Sequence, residues 1–431
     1  MLGAFANAFR TPDLRRKLLF VLLIVTIFRL GSQVPTPGVN VANVQACLSD
    51  VESNGLYQLV NLFSGGALLQ LTIFALGIMP YITASIILQL LVVVIPRLEA
   101  LKKEGQSGQT KITQYTRYLT LGLALLQATG IVALARSGNL LQGCTRDLLH
   151  SDNTSTFLTM VLTMTAGTAV IMWLGELITD RGIGNGMSIL IFTQVVATFP
   201  GSLWQVQVTQ GWWVFGIVMV IGLILVAAVI FIEQAQRRIP VQYARRMVGR
   251  KMFGGSSTYI PLKVNQAGII PVIFASSLLY LPAMALQFNQ TSSSPVITFI
   301  NTYLVGGDHP LYMAIYFALI IFFTYFYVSI TFNPTEVADN MKKYGGFIPG
   351  IRAGKPTEDY LSYVLSRITF PGALYLGLIS LVPLIAFALI NANQNFPFGG
   401  TSILIMVGVA LDTVKQIESQ LQQRNYEGFL R

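Results

Sequence analysis

The sequence predicts an all-α polytopic membrane protein with ten transmembrane helices, arranged as two inverted five-helix halves around a central pore. Three observations support this prediction. Hydrophobic residues make up 53% of the 431-residue chain and charged residues only 11%, whereas soluble domains carry about 25% charge. The apolar residues collect in runs of about 17 to 25, the length that crosses a bilayer. Similar short strings recur five runs apart.

The spans follow from the apolar runs. They lie at about 18–34, 72–95, 118–136, 156–178, 184–203, 212–233, 266–288, 311–331, 368–390 and 401–420. If the amino terminus is cytoplasmic, 25 of the 28 Lys and Arg residues fall in cytoplasmic segments and their flanks. By the positive-inside rule, this asymmetry predicts that both termini are cytoplasmic.

The same reading divides the chain into two halves. The predicted parts are an N-terminal half at 1–203, a hinge connection at 204–211, a C-terminal half at 212–420 and a cytoplasmic tail at 421–431. Two long cytoplasmic loops, 237–265 and 332–367, belong to the C-terminal half.

Internal repeats predict that the two halves have inverted orientations in the membrane. Gly77–Ser85 in span two agrees with Gly268–Ser276 in span seven at six of nine positions, and Met187–Ile191 in span five shares Ser-Ile-Leu-Ile with Thr401–Ile405 in span ten. An offset of five spans reverses the direction in which the second copy crosses the membrane. Inverted halves of this kind place functional residues near the bilayer midplane, at the interface between them.

The repeated strings carry aliphatic side chains at that interface. Ile78 and Ile82 lie four residues apart on one helical face, as do Met187 and Ile191. One interpretation is that these side chains face lipid or fill the bundle core. The other is a constriction, in which apolar side chains from four helices form a narrow neck that excludes water and ions.

Two further features interrupt simple spans. The apolar segment 56–63, followed by Ser64-Gly65-Gly66, is too short to cross a bilayer. It either lies flat on the outer interface or folds back as a stopper. Pro80 and Pro271, placed inside spans two and seven, predict a kink or a movable break.

The two cytoplasmic loops differ in charge. Loop 237–265 holds seven Lys and Arg and no acidic residue, so it should attract phosphate, an acidic protein surface or anionic lipid. Loop 332–367 has nearly balanced charge. Its glycines and Pro349 surround Arg352, which predicts a shaped turn that presents one guanidinium.

No catalytic or metal-binding constellation is predicted within the membrane. His150 and His309 both fall in external segments, and so do Cys47 and Cys144, the only cysteines. We expect two free thiols rather than a disulfide, because a membrane bundle does not need a covalent staple. No enzyme activity, metal or cofactor is expected.

A secondary transporter of a small solute is the alternative function, since such proteins also use inverted repeats. An intramembrane hydrolase is not favoured, because the spans do not supply the reactive groups that it needs.

Several strings together resemble one known family. They are Leu62-Phe63-Ser64-Gly65-Gly66, Phe74-Ala75-Leu76-Gly77-Ile78-Met79-Pro80-Tyr81-Ile82, Gly182-Ile183-Gly184-Asn185-Gly186, Gly345-Gly346-Phe347-Ile348-Pro349-Gly350-Ile351-Arg352 and Tyr426-Glu427. In this order along the chain they are similar to the SecY family of protein-conducting channels. The resemblance implies the SecY fold and signal-sequence-dependent passage of unfolded polypeptides across the bacterial plasma membrane, or sideways into it.

The resemblance also implies roles for named residues. The pore ring would be Ile78, Ile82, Met187, Ile191, Ile273 and Ile405. The plug would comprise Leu56, Leu59, Val60, Leu62, Phe63, Ser64, Gly65 and Gly66. A lateral gate would carry Thr83, Ser85, Gln89, Gln127, Ser276 and Ser277. Contacts to the ribosome or to the SecA ATPase would come from Arg245, Arg246, Arg250, Lys251 and Arg352.

The implied partners follow from the same family. They are SecE, SecG, SecA, the ribosome, signal-sequence-bearing polypeptides and membrane lipid, with YidC and SecDF as further partners. Direct DNA binding is not expected.

Overall fold

The computed structural model describes most of the chain. The described residues are 11–50, 66–68, 70–136, 147–151, 153–243, 246–248, 251–253, 257–287, 303, 309–390 and 400–427. Helices dominate them. The helices are α1 (Pro12–Gly31), α2 (Val41–Asp50), α3 (Met79–Val94), α4 (Pro96–Lys103), α5 (Gln106–Arg136), α6 (Thr154–Arg181), α7 (Gly186–Gln234), α8 (Ile270–Gln287), α9 (Pro310–Thr331), α10 (Pro334–Lys343), α11 (Lys355–Ile390) and α12 (Gly400–Glu427).

Each of the ten predicted spans falls on a helix. Among the described residues, five helical segments are long and apolar enough to cross a membrane, and a sixth is added if α3 and α4, bent by 98°, count as one span. Two shorter apolar helices, Gly186–Gly201 and Ile270–Leu279, also coincide with predicted spans. The chain is therefore a multi-pass helical protein, and the count of ten spans stays a prediction.

Helix α7 covers two predicted spans. Its helical geometry is interrupted at Gly211, where φ is 82° and ψ is 176°, a conformation that glycine adopts without a steric penalty. Residues 204–210, predicted as part of the hinge connection, are helical. The break in α7 therefore lies at Gly211, the last residue of the predicted hinge 204–211.

The internal repeat is visible in the backbone. Gly77 and Gly268 both adopt positive φ, 55° and 62°, and α3 and α8 begin two residues after them. The expected kink at Pro80 and Pro271 is wrong. Both prolines lie in the first turn of a helix, where the missing N–H has no intrahelical partner to lose.

The two long loops, predicted to be cytoplasmic, form one unit. Strands β1 (Gln236–Tyr243) and β4 (Ser257–Lys263) pair antiparallel, and β5 (Gly346–Phe347), from the second loop, pairs with the other edge of β1. A shared apolar core lies beneath this sheet. It comprises Ile239, Val241, Leu262, Met341, Ile348, Leu361 and Val364. A separate small hairpin joins β2 (Arg246–Val248) to β3 (Lys251–Phe253).

On the opposite side of the bundle, the segment before α2 is fastened to residues 147–150. The amide of Asn40 donates to the carbonyl of Leu148 at 2.9 Å, and the amide of His150 donates to the carbonyl of Gly38 at 2.9 Å. Cys47, buried in α2, is disulfide-bonded. Cys144 is the only other cysteine in the chain, so the expectation of two free thiols is wrong.

Candidate constriction, gate and cytoplasmic surface

The six residues proposed as a ring all lie at helix starts. Ile78 is the N-cap of α3 and Ile82 follows one turn later. The other four lie within the first two turns of their helices: Met187 and Ile191 in α7, Ile273 in α8 and Ile405 in α12. Four helix starts from both halves therefore carry the aliphatic side chains of the repeats.

Burial separates these side chains from the lipid-facing surface. Their exposed fractions are 0% for Ile78, 8% for Ile82, 9% for Met187, 5% for Ile191, 6% for Ile273 and 1% for Ile405. All six belong to one apolar cluster. Residues on the second part of α7 show the contrast, since Leu223 is 65% exposed. The lipid-facing interpretation is therefore wrong for these six residues.

The Gly182-Ile183-Gly184-Asn185-Gly186 string explains how α7 begins. The Asn185 side chain caps the helix by accepting from the amides of Met187 at 3.1 Å and Ser188 at 3.4 Å. The Thr179 hydroxyl accepts from the amide of Gly186 at 2.9 Å. A Cβ at Gly186 would overlap the carbonyl oxygen of Gly175 in α6. Glycine at 186 thus allows the close approach that positions Met187.

The predicted gate helices meet. Helices α3 and α8 are in contact, and α5, which carries the half-buried Gln127, packs along α3. The polar gate residues with described hydrogen bonds make them within their own helix. Thr83 donates to the carbonyl of Met79 at 3.0 Å, Gln89 to the Ser85 hydroxyl at 3.3 Å, and Ser276 to the carbonyl of Ile273 at 2.9 Å. These bonds can persist if the two helices separate.

The described basic residues of the two long loops lie in a hairpin and in a turn. Arg246 and Lys251 belong to opposite strands of the small hairpin. Arg352 is exposed in the turn before α11, between Gly350 and Gly354, whose φ values are 82° and 105°. The carbonyl of Arg352 accepts from the Thr357 hydroxyl at 2.9 Å. The turn therefore presents the guanidinium, as the sequence predicted.

Some predicted residues lie outside the described part of the chain. They are Arg245 and Arg250 of the basic loop, and Leu56, Leu59, Val60, Leu62, Phe63, Ser64 and Gly65 of the plug segment. Gly66, at the end of that segment, has a φ of 90°.

Two polar pairs join neighbouring segments of the chain. The sequence did not predict them. Arg117 in α5 donates from Nε and Nη2 to the two carboxylate oxygens of Glu176 in α6, at 2.7 and 2.9 Å. Asn265 donates to Glu233 at 2.5 Å, and both side chains are buried. Arg117 and Glu176 lie near the predicted cytoplasmic ends of two neighbouring spans. Their opposite charges at these positions could have predicted the ion pair.

The described residues contain no group of three or more His, Cys, Asp or Glu that could hold a metal ion. The six proposed ring residues offer apolar surface.

Solved structures share this fold. One, described as the structure of a protein conducting channel, has a TM-score of 0.65 and 19% identity, covering 94% of this chain and 91% of the other. Sec61 in the canine ribosome–channel complex from the endoplasmic reticulum has a TM-score of 0.62 and 17% identity over the same shares. The helical segments and the shared fold together define a multi-pass helical membrane protein with the fold of these solved channels.

Sequence comparisons specify the family within that class. The sequence model of the SecY family matches residues 72–414. Curated relatives include the protein translocase subunits SecY of Streptomyces scabiei, 68% identical, and of Mycobacterium tuberculosis strain H37Rv, 60% identical. Both alignments cover all of this chain and all of the relative. The chain belongs to the SecY family.

Proposed function

We propose that this chain, as a SecY-family translocase subunit, conducts unfolded polypeptides across the plasma membrane and releases hydrophobic segments sideways into it. One observation carries the proposal. Six aliphatic side chains from four helix starts, two within residues 1–203 and two within residues 212–420, are buried in a single cluster. We call these six residues, Ile78, Ile82, Met187, Ile191, Ile273 and Ile405, the apolar ring.

The chemistry of the apolar ring suits a seal. Aliphatic side chains offer no hydrogen bonds to water or ions, so a neck lined by them dewets and blocks conduction. The same side chains can rearrange around an extended polypeptide, and the flexible thioether of Met187 adapts most readily. The ring therefore closes the resting channel and surrounds a chain in transit.

Opening requires the helices of the gate to part. A signal sequence, which is apolar and helical, replaces the contact between α3 and α8 with a similar apolar contact. The halves 1–203 and 212–420 turn relative to each other about Gly211, where the helical geometry is already interrupted. The segment 56–66 then acts as the plug that leaves the channel.

The cytoplasmic unit is the proposed docking surface. Arg245, Arg246, Arg250, Lys251 and Arg352 belong to its two loops in the sequence and would contact SecA or the ribosome, which supply the direction of transport. SecE and SecG would bind the bundle within the membrane, and YidC and SecDF would associate with the assembly. Both termini face the cytoplasm in this arrangement, as the distribution of Lys and Arg requires. The chain itself performs no chemical step.

Ion conductance tests the ring. The variant Ile82→Asn with Ile405→Asn places two amides in the seal, so we expect a measurable ion leak in planar bilayers and weaker discrimination of signal sequences. The control is Ile217→Asn, at a position that is 58% exposed on the bundle surface. A double variant that conducts no more than the control would refute the ring assignment.

A further inference from the structure

Three buried polar side chains each lie about one helical turn from a residue of the apolar ring. They are Gln194 in α7, Ser277 in α8 and Ser402 in α12, with exposed fractions of 1%, 8% and 1%. Within the described part of the chain, the amide oxygen and nitrogen of Gln194 and both serine hydroxyls have no hydrogen-bond partner. Burial of such groups without partners is energetically unfavourable, so they favour a ligand that supplies the missing hydrogen bonds.

Helix geometry places all three beside ring residues. Gln194 follows Ile191 by three positions, Ser277 follows Ile273 by four, and Ser402 precedes Ile405 by three. Residues three or four apart share a helical face, so each polar side chain lies on the face that carries a ring residue. The spacing along the axis is about 4.5–6 Å.

The direction of the helices puts the three residues on one side of the ring. Under the proposed topology, α7 starts at the cytoplasmic side and so does α8, so later residues lie further outward. Helix α12 runs the opposite way, so an earlier residue lies further outward. All three are therefore displaced from the ring towards the external side.

We propose that Gln194, Ser277 and Ser402 form a polar collar that binds the backbone amide groups of a polypeptide as it leaves the apolar ring. This inference rests on the proposed function. Inside the ring, the N–H and C=O groups of an extended chain have no partners, which is costly in an apolar environment. The collar supplies hydrogen bonds at the next position along the path.

The chemistry of the collar selects this ligand. A glutamine side chain offers both a donor group and an acceptor, and a serine hydroxyl does the same. A peptide group presents one donor and one acceptor, so the two sets are complementary regardless of the side chains that pass. Hard metal ions favour charged or multiple oxygen ligands, and none of the three collar residues is charged. The collar is thus suited to any sequence in transit.

Half-buried hydroxyls on the same helices behave differently. Thr193, next to Gln194, donates to the carbonyl of Ile189 at 2.8 Å, and Thr413 in α12 donates to the carbonyl of Val409 at 2.8 Å. Both are satisfied by their own helix. They provide a matched control, because their removal deletes polar atoms from the same two helices without touching the collar.

The test compares two double variants of the full chain, reconstituted in vesicles with its partner subunits. One is Gln194→Met with Ser402→Ala, and the control is Thr193→Val with Thr413→Val. Ser277 stays unchanged, because it also belongs to the predicted lateral gate. The measurement is the time for a signal-sequence-bearing polypeptide of defined length to become protected from protease. A photocrosslinker in a stalled polypeptide reports contact with the ring.

We expect the collar variant to slow transit about three- to tenfold relative to the control, as loss of one or two neutral hydrogen bonds would, while crosslinks to the ring persist. Equal transit times in the two variants would overturn the collar. If transit were unchanged and the water permeability fell, the three side chains would bind ordered water rather than peptide groups. This result would also overturn the collar. Absence of ring crosslinks in the unsubstituted chain would refute the proposed function itself.

Thermal unfolding provides a second readout. Because the collar side chains have no partners within the described part of the structure, their replacement by apolar groups of similar shape should leave the midpoint unchanged or raise it. A lower midpoint for the collar variant than for the control would show that these groups are already paired at rest, which contradicts the proposal.

Discussion

The starts of α7 and α8 carry ring residues, Met187 and Ile273, but are built differently. At α7, an asparagine cap and a close approach between Gly186 and Gly175 position the helix. At α8, the side chain of Asn265 bridges the Glu233 carboxylate, at 2.5 Å, and the carbonyl of Gly268, at 3.1 Å. The first start depends on backbone packing and the second on a buried polar network.

This difference shows that ring residues can be held in position by different local interactions. A close backbone contact tolerates no added atom, since the opposing carbonyl cannot move independently of its helix. A hydrogen-bonded bridge tolerates small changes in volume, but it leaves a buried carboxyl group without its partner when its donor is removed. The four substitutions below distinguish these two kinds of support, from the largest expected effect to the smallest.

Gly186→Ala should be the most damaging. The added Cβ would overlap the carbonyl oxygen of Gly175, so α6 and α7 must separate, at a cost of about 3 kcal/mol. Thermal unfolding in detergent measures this loss. The control is Gly201→Ala, since nothing lies within 4 Å of a Cβ there. Equal midpoints for the two variants would contradict the close contact.

Asn265→Ala tests the polar network at α8. It removes the donor to the buried Glu233 carboxylate, and we expect a loss of about 1.5–3 kcal/mol, typical of a hydrogen bond to a charged group. Asn153→Ala is the control, because Asn153 is exposed and its side chain makes no capping hydrogen bond. The network would lose its assigned role if both variants unfolded at the same denaturant concentration.

Gly268→Ala tests backbone conformation alone. No atom lies within 4 Å of the added Cβ, but φ is +62°, so we expect a loss of about 1–2 kcal/mol from the left-handed conformation. Gly216→Ala, in a helix with open space around it, should instead be neutral or stabilising. Urea unfolding monitored by circular dichroism compares the two variants. A stabilised Gly268→Ala protein would disprove the strain argument.

Asn185→Ala should have the smallest effect of the four. It deletes the cap that accepts from the amides of Met187 and Ser188, which is worth about 1 kcal/mol. Asn185→Ser retains an acceptor oxygen and should recover most of the loss in a thermal unfolding experiment. Identical midpoints for the alanine and serine variants would show that the cap contributes little.

Much of the fold and of the candidate site was predictable from the sequence. Apolar runs located the helices, because lipid selects for long hydrophobic stretches. The repeated strings aligned Ile82 with Ile273 and Ile191 with Ile405 as corresponding positions. The role of the prolines was not predictable. Helix starts were placed too early in spans two and seven, and this error put Pro80 and Pro271 in helix interiors rather than in first turns.

By itself, the sequence determined which segments are helical, how the two halves correspond and which aliphatic residues recur, because these properties depend on residue type and spacing along the chain. Only the tertiary structure decided that Cys47 is disulfide-bonded, that the loops 237–265 and 332–367 share one sheet, and that Gly186 lies against Gly175. These contacts join residues distant in sequence, and their distances depend on how whole helices pack rather than on any local pattern.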